Sequence, residues 1–159
     1  MREGSRVCHV SIQRNHIHLI VEATSAADLA RGMQGLQVRL TRRLNRALGR
    51  SGTVFPGRYH GVQIRTPRQM RAVLYDVLQN ARRHGEALPS RWGGVDPFSS
   101  AWSFDGWSSD AWRRAIAPAA GPPPVAPPES WLLCAGWRRH GPIRPDETPP
   151  AAGRSRPPP

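Results

Sequence analysis

Between residues 7 and 22 the apolar positions recur at every second residue. In VCHVSIQ, Cys8, Val10 and Ile12 alternate with His9, Ser11 and Gln13; beyond Arg14 and Asn15, Ile17, Leu19 and Val21 alternate with His16, His18 and Ile20. A period of two predicts a pair of strands joined by a turn. One face of the second strand is purely aliphatic, and the other carries both histidines. From 25 to 48 the period lengthens: Leu29, Met33, Leu36, Leu40, Leu44 and Ala47 repeat at helical spacing, with Ser25 as the cap and Asp28 as its box partner. RYHGVQI (58–64), entered through the turn FPG, predicts a third strand. A second helix starts at a Thr66 cap with Pro67 in the favoured first position, and Gly85 is placed to close it. Strand–strand–helix–strand–helix order predicts an α+β domain: an antiparallel sheet with helices on one face.

Composition then divides the chain. Of 17 prolines, 13 lie from Pro118 onward, a density that cannot bury enough apolar surface to order itself. The expected organisation is a domain over 1–90, a Trp-rich extension over 91–116 and a Pro-rich linker over 117–129. A short apolar segment over 130–141 docks back on the domain, and a disordered tail fills 142–159. Trp92, Trp102, Trp107 and Trp112 of the extension are read as core filling in preference to base-stacking aromatics.

Charge adds a partner class. The chain has 23 basic residues, all arginine, against 11 acidic ones, for a net charge of +12. That excess points to an anionic partner, with nucleic acid ahead of a membrane surface. Arg39, Arg42, Arg43, Arg46 and Arg50 repeat along a flank of the first helix, as either a solvated edge or a phosphate-tracking ridge. Cys8 and Cys134 fit neither a metal spacing nor a disulfide framework. No run approaches transmembrane length and the N-terminus lacks a signal-peptide core, so a reduced cytoplasm is the expected location.

Candidate chemistry comes from the second helix. At 100° per residue Met70, Val73, Leu74, Val77, Leu78 and Ala81 cluster on one side, while Tyr75 projects about 120° and Gln79 about 160° from that cluster's centre. Arg68, Arg71 and Arg82 share their side. Two imidazoles on a strand face can supply two nitrogen ligands to a divalent ion, and a Gln carbonyl a third, oxygen ligand. A metal so held polarises a phosphodiester, and Tyr75 as phenolate could attack phosphorus to form a covalent phosphotyrosine. Nearby arginines are expected to favour the phenolate. Tyr59, the rival nucleophile, lies in the predicted third strand and is read as a sheet or DNA-contact aromatic. His9 and His60 need no function.

HIH at 16–18 followed by LIVEA, then GRYHG, then AVLYDVLQNAR, resembles the HUH endonucleases, and more narrowly the single-tyrosine transposases of insertion sequences and REP-associated elements. The resemblance spans about residues 7–90. It implies a ferredoxin-like fold that here lacks the family's first strand and helix, leaving an unpaired sheet edge and exposed apolar helix surface. It also implies metal ligation by His16, His18 and Gln79, with Mg²⁺ or Mn²⁺, and nucleophilic attack by Tyr75. The implied substrate is single-stranded or hairpin DNA, cleaved to leave Tyr75 on the 5′ phosphate. Relatives act as monomers or homodimers. Candidate phosphate contacts are Arg39, Arg42, Arg43, Arg46, Arg71 and Arg82. The alternatives are a non-catalytic DNA-binding module that keeps only the basic surface and, on the same histidine chemistry, a replication initiator or relaxase.

Overall fold

The computed structural model describes residues 4–83, 95–96, 98–108 and 125–147. Strand β1 (Ser5–Ile12) and strand β2 (Ile17–Ala23) form an antiparallel pair. Helix α1 (Ala26–Ala47) follows, then helix α2 (Pro67–Leu78) and a single helical turn, α3 (Asn80–Arg83). After a 3₁₀ turn at Ser100–Ser103, the chain ends in the short helix α4 (Trp131–Cys134) and a second 3₁₀ turn at Gly136–His140. The coarse class is α+β, as the periodicities predict.

The local signals act at the helix starts. The Ser25 hydroxyl accepts the Asp28 amide at 3.1 Å, and the Asp28 carboxylate in turn takes the hydroxyls of Ser25 and Thr24, each at 2.6 Å. Thr66 and Gln69 close a reciprocal capping box, with Pro67 behind the cap where its missing N–H is harmless. The second helix is shorter than its sequence pattern: α2 stops at Leu78 and Gln79 is its C-terminal cap. Gly85 lies outside the described residues.

Register sets the faces of the sheet. His9 opposes Ile20 and Ser11 opposes His18, so these four share one face; Val10 opposes Leu19 and Ile12 opposes Ile17 on the other. The register shifts between Val7 and His9, which turns Val7 to the aliphatic side with Val21. On the Ile20 side lies the main core, where Cys8 and Ile20 meet Met70, Leu74, Val77 and Leu78 of α2 with Phe104, Trp107, Leu133, Trp137 and Ile143. No α1 residue belongs to that core. Val7 instead lines a cleft with Leu36 and Leu40 of α1, so the two long helices serve opposite faces, contrary to the one-sided arrangement expected. Covered by one layer only, α1 keeps just Gly32 and Met33 buried, while Val38, Leu44 and Leu48 stay exposed.

The expected third strand is absent. Residues 58–64 pair with nothing in the sheet, and Val62 is 72% exposed. One of the two sheet edges is closed to it. The outer edge of β1 is already taken: Ile12 N–H donates to Phe98 O at 2.9 Å, Ser11 bridges Ser99, and Ala126 N–H donates to Val7 O at 2.8 Å. Glycines at 57 and 61 weaken the run further, and Ile64 alone packs against the core.

The C-terminal region is the larger surprise. The apolar segment docks as expected: Leu133 and Trp137 are buried against α2, and the Glu22 carboxylate caps α4 by accepting the Glu129 and Ser130 amides and the Ser130 hydroxyl. Order continues past 141, however, into the expected tail. Ile143 is fully buried, bridges Trp107 and accepts the Ser108 amide at 2.9 Å; Pro145 is buried too. Composition alone reads 142–147 as tail because one isoleucine among prolines carries little apolar weight, yet that isoleucine is buried in the core and Pro145 is buried beside it in sequence. Trp107 fills core and Trp102 packs against it. Trp92, Trp112, residues 117–124 and the chain beyond 147 lie outside the described residues.

Candidate active site: an exposed histidine pair and a covered tyrosine

His16 ends the turn, where its carbonyl accepts the Gln13 amide at 2.9 Å, and His18 follows one residue into β2. Both side chains are exposed. Their rings stand edge to face with centroids 4.7 Å apart, close enough for the pair to present nitrogens to a common ion. Asn15 holds one of them: its carboxamide oxygen lies 2.7 Å from Nδ1 of His16. With Nδ1–H donating there, the lone pair of the neutral ring sits on Nε2, the orientation by which an outer group fixes a ligating imidazole.

The register places His18 on the sheet face that carries α2. Opposite it is Ser11, fully buried, whose hydroxyl donates to Asp96 Oδ2 at 3.3 Å; Gln13 Nε2 donates to Ser11 Oγ at 2.9 Å. Asp96 is itself buried and accepts the Phe98 amide at 2.8 Å. Sequence reading misses this carboxylate, because a lone Asp in GVDPF carries no pattern that would join it to a strand more than eighty residues away.

Tyr75 is not on an open polar face. It is 3% exposed and belongs to the main hydrophobic core, with its hydroxyl end covered by the C-terminal segment. The Tyr75 hydroxyl donates to the backbone carbonyl of Glu147, and Gln79 Nε2 donates to Pro145 O at 2.7 Å. One turn earlier Arg71 completes the grip. Its guanidinium donates to both carboxylate oxygens of Glu147 at 3.0 Å, to Gly141 O at 3.1 Å and to Pro142 O at 3.0 Å. Arg71, Tyr75 and Gln79 are four residues apart, one stripe of a helix, and all three hold the strap 141–147. Helical projection located that stripe correctly but supplied no second layer to bury it.

Two consequences follow for the expected chemistry. First, the phenol is less acidic rather than more: burial and the Glu147 charge push Tyr75 up to about 12, outweighing the arginines at 71 and 82. The expectation that neighbouring arginines favour phenolate fails in this conformation because burial, with the Glu147 charge, outweighs the lowering by Arg82 and Arg71. Second, Gln79 is only half satisfied. Its Oε1 is buried with no hydrogen-bond partner among the described residues, a defect that costs on the order of 1–3 kcal/mol. The hydrogen bonds of Tyr75 and Gln79 therefore go to the strap and to neither histidine.

Among the described residues no three His, Cys, Asp or Glu side chains are grouped to hold a metal. The donor set nonetheless suits a divalent ion: two imidazoles, one of them oriented by Asn15, and a carboxamide oxygen that lacks a partner.

The arginines separate into two groups. Arg39, Arg42, Arg43 and Arg46 are exposed along α1, and no ion pair found among the described residues engages them. Arg39 and Arg43 flank the cleft floored by Val7, Leu36, Leu40 and Ala126, with Arg6 on its rim. Arg71 is committed to the strap, and Arg82 is half-buried beside Tyr75. Tyr59 and His60 are exposed in the unpaired 58–64 run. His9 lies inside, with Nδ1 3.1 Å from Ser100 Oγ and its ring edge-on to Phe104.

No family model, curated protein or solved structure matches this chain. Its functional reading rests on its own residues. No helix among the described residues is long and apolar enough to cross a membrane.

Proposed function

We propose that this chain is a metal-dependent, tyrosine-based endonuclease and strand transferase for single-stranded DNA, of the HUH transposase type, acting in the cytoplasm. The observation that carries the reading is the exposed His16–His18 pair, ring to ring at 4.7 Å with Nδ1 of His16 beside Asn15 Oδ1, and with His18 in register opposite the buried Ser11. Spacing along the chain accounts for the proximity; the contact of His16 Nδ1 with Asn15 is what favours a ligating role.

In this reading His16, His18 and Gln79 would hold Mg²⁺ or Mn²⁺, which would supply Lewis-acid polarisation of the scissile phosphate. Tyr75 is the nucleophile. Its phenolate oxygen forms a bond to phosphorus as the P–O3′ bond breaks; the 3′ oxygen leaves and is protonated, and the 5′ phosphate stays on the tyrosine. The phosphodiester energy is conserved in that linkage, so rejoining needs no nucleotide cofactor. Arg39, Arg42, Arg43 and Arg46 track phosphates along α1, and Arg71 and Arg82 bind phosphate beside the tyrosine once the strap has moved.

A second reading is favoured by one specific observation, the burial of Tyr75 and its bond to Glu147: the chain is a DNA-binding module in which Arg71, Tyr75 and Gln79 are strap anchors and nothing more. Incubation with an end-labelled hairpin oligonucleotide and Mn²⁺ separates the two. A covalent adduct that resists denaturation and disappears in Tyr75→Phe supports the endonuclease. Salt-sensitive retention with no adduct supports the binding module.

A further inference from the structure

The strap repeats the chemistry of a nucleic-acid backbone at the candidate site. A guanidinium receives a carboxylate and a phosphate through the same planar fork, and Glu147 sets both carboxylate oxygens on Arg71 at 3.0 Å. The carbonyl of the same residue receives the Tyr75 hydroxyl. One residue thus occupies the anion-binding arginine and the nucleophile together.

We propose that residues 144–147 are a built-in pseudosubstrate, in which the Glu147 carboxylate holds the Arg71 position that a DNA phosphate takes and the Glu147 carbonyl blocks Tyr75. This rests on the endonuclease reading above and adds its regulation.

Three further features agree with it. The hydrogen bond to Glu147 O requires a protonated phenol, so the closed strap and the nucleophilic phenolate exclude one another. The contacts past Ile143 come from one helix stripe: the strap is held there by Arg71, Tyr75 and Gln79 and by the burial of Pro145. And the buried, unpartnered Gln79 Oε1 marks the closed state as incompletely satisfied. An incoming phosphate competes for Arg71 on equal chemical terms, so substrate itself opens the strap.

The test uses the full chain and its two tyrosines. Tyr59 is 39% exposed and Tyr75 is 3% exposed, so nitration by tetranitromethane, read by peptide mass spectrometry, reports strap opening with Tyr59 as the internal reference. Glu147→Lys sets an ammonium against Arg71 and should raise both the Tyr75 nitration rate and the yield of covalent hairpin adduct by at least about tenfold. Glu147→Gln should fall between this variant and the native chain. A single-stranded oligonucleotide should raise Tyr75 nitration in the native chain. Slow Tyr75 nitration in Glu147→Lys, or an adduct yield equal to that of the native chain, would overturn the inference and leave the endonuclease reading standing. An exposed Tyr75 in Glu147→Lys with no adduct in either protein would instead remove the endonuclease reading, and the inhibitory role with it.

Discussion

Acidification should unfold this protein through a single histidine. His9 is 8% exposed, with Ser100 Oγ 3.1 Å from its Nδ1 and Phe104 edge-on at 5.6 Å. Burial pushes it down from an ordinary 6.5 to about 4, only partly offset by the charges of Asp105 and Glu22. The folded state therefore keeps the ring neutral while the unfolded chain takes up a proton, and folding loses stability as pH falls from about 6.5 to about 4. At 1.36 kcal/mol per pH unit across that window the loss approaches about 3 kcal/mol, a large share of a small domain's stability. Urea unfolding followed by circular dichroism at pH 7.5, 6, 5 and 4 measures it, and an NMR titration of the His9 ring reports the folded value directly. His9→Gln, which keeps an amide near Ser100 and cannot charge, should flatten the profile over this window. A folded-state titration of His9 near 6.5, or an equally steep acid loss in His9→Gln, would refute the argument.

Two further outcomes test the packing and the basic surface. A β-carbon at Gly106 would clash with the ring edges of Phe104 and Trp137, so Gly106→Ala should cost about 1–3 kcal/mol of stability by urea unfolding, whereas Gly52→Ala, with no neighbour to strike, should cost only the strain of its positive φ. Arg39→Ala with Arg43→Ala should weaken oligonucleotide binding and lower the magnitude of the logarithmic salt slope by about 1.5, close to two phosphate contacts on a single strand, as read by fluorescence anisotropy across a salt series; an unchanged slope would remove the cleft from the DNA surface.

The hairpin and both long helices are legible in the sequence because each depends on local terms: alternation over 7–22, the cap at Ser25, and the capping box of Thr66 with Pro67. The site is half legible. Spacing alone puts His16 beside His18 and sets Arg71, Tyr75 and Gln79 on one stripe. The contacts that bury the stripe come from residues 66 to 76 positions later, inside a proline-rich run whose composition reads as tail. The third strand fails in part for a related reason: Phe98, Ser99 and Ala126 take the β1 edge through contacts with no local signature. Asp96 and the Ser100–His9 contact are likewise properties of the assembled fold.

The central claim is that Tyr75 is a nucleophile on the helix behind a paired-histidine metal site, held shut by Glu147. The most direct measurement is the covalent protein–DNA adduct formed by Glu147→Lys on an end-labelled hairpin with Mn²⁺, mapped by mass spectrometry. Attachment of the 5′ phosphate to Tyr75, lost in His16→Ala with His18→Ala, is the predicted result. An opened Tyr75 that forms no adduct, or an adduct mapped to Tyr59, would contradict it.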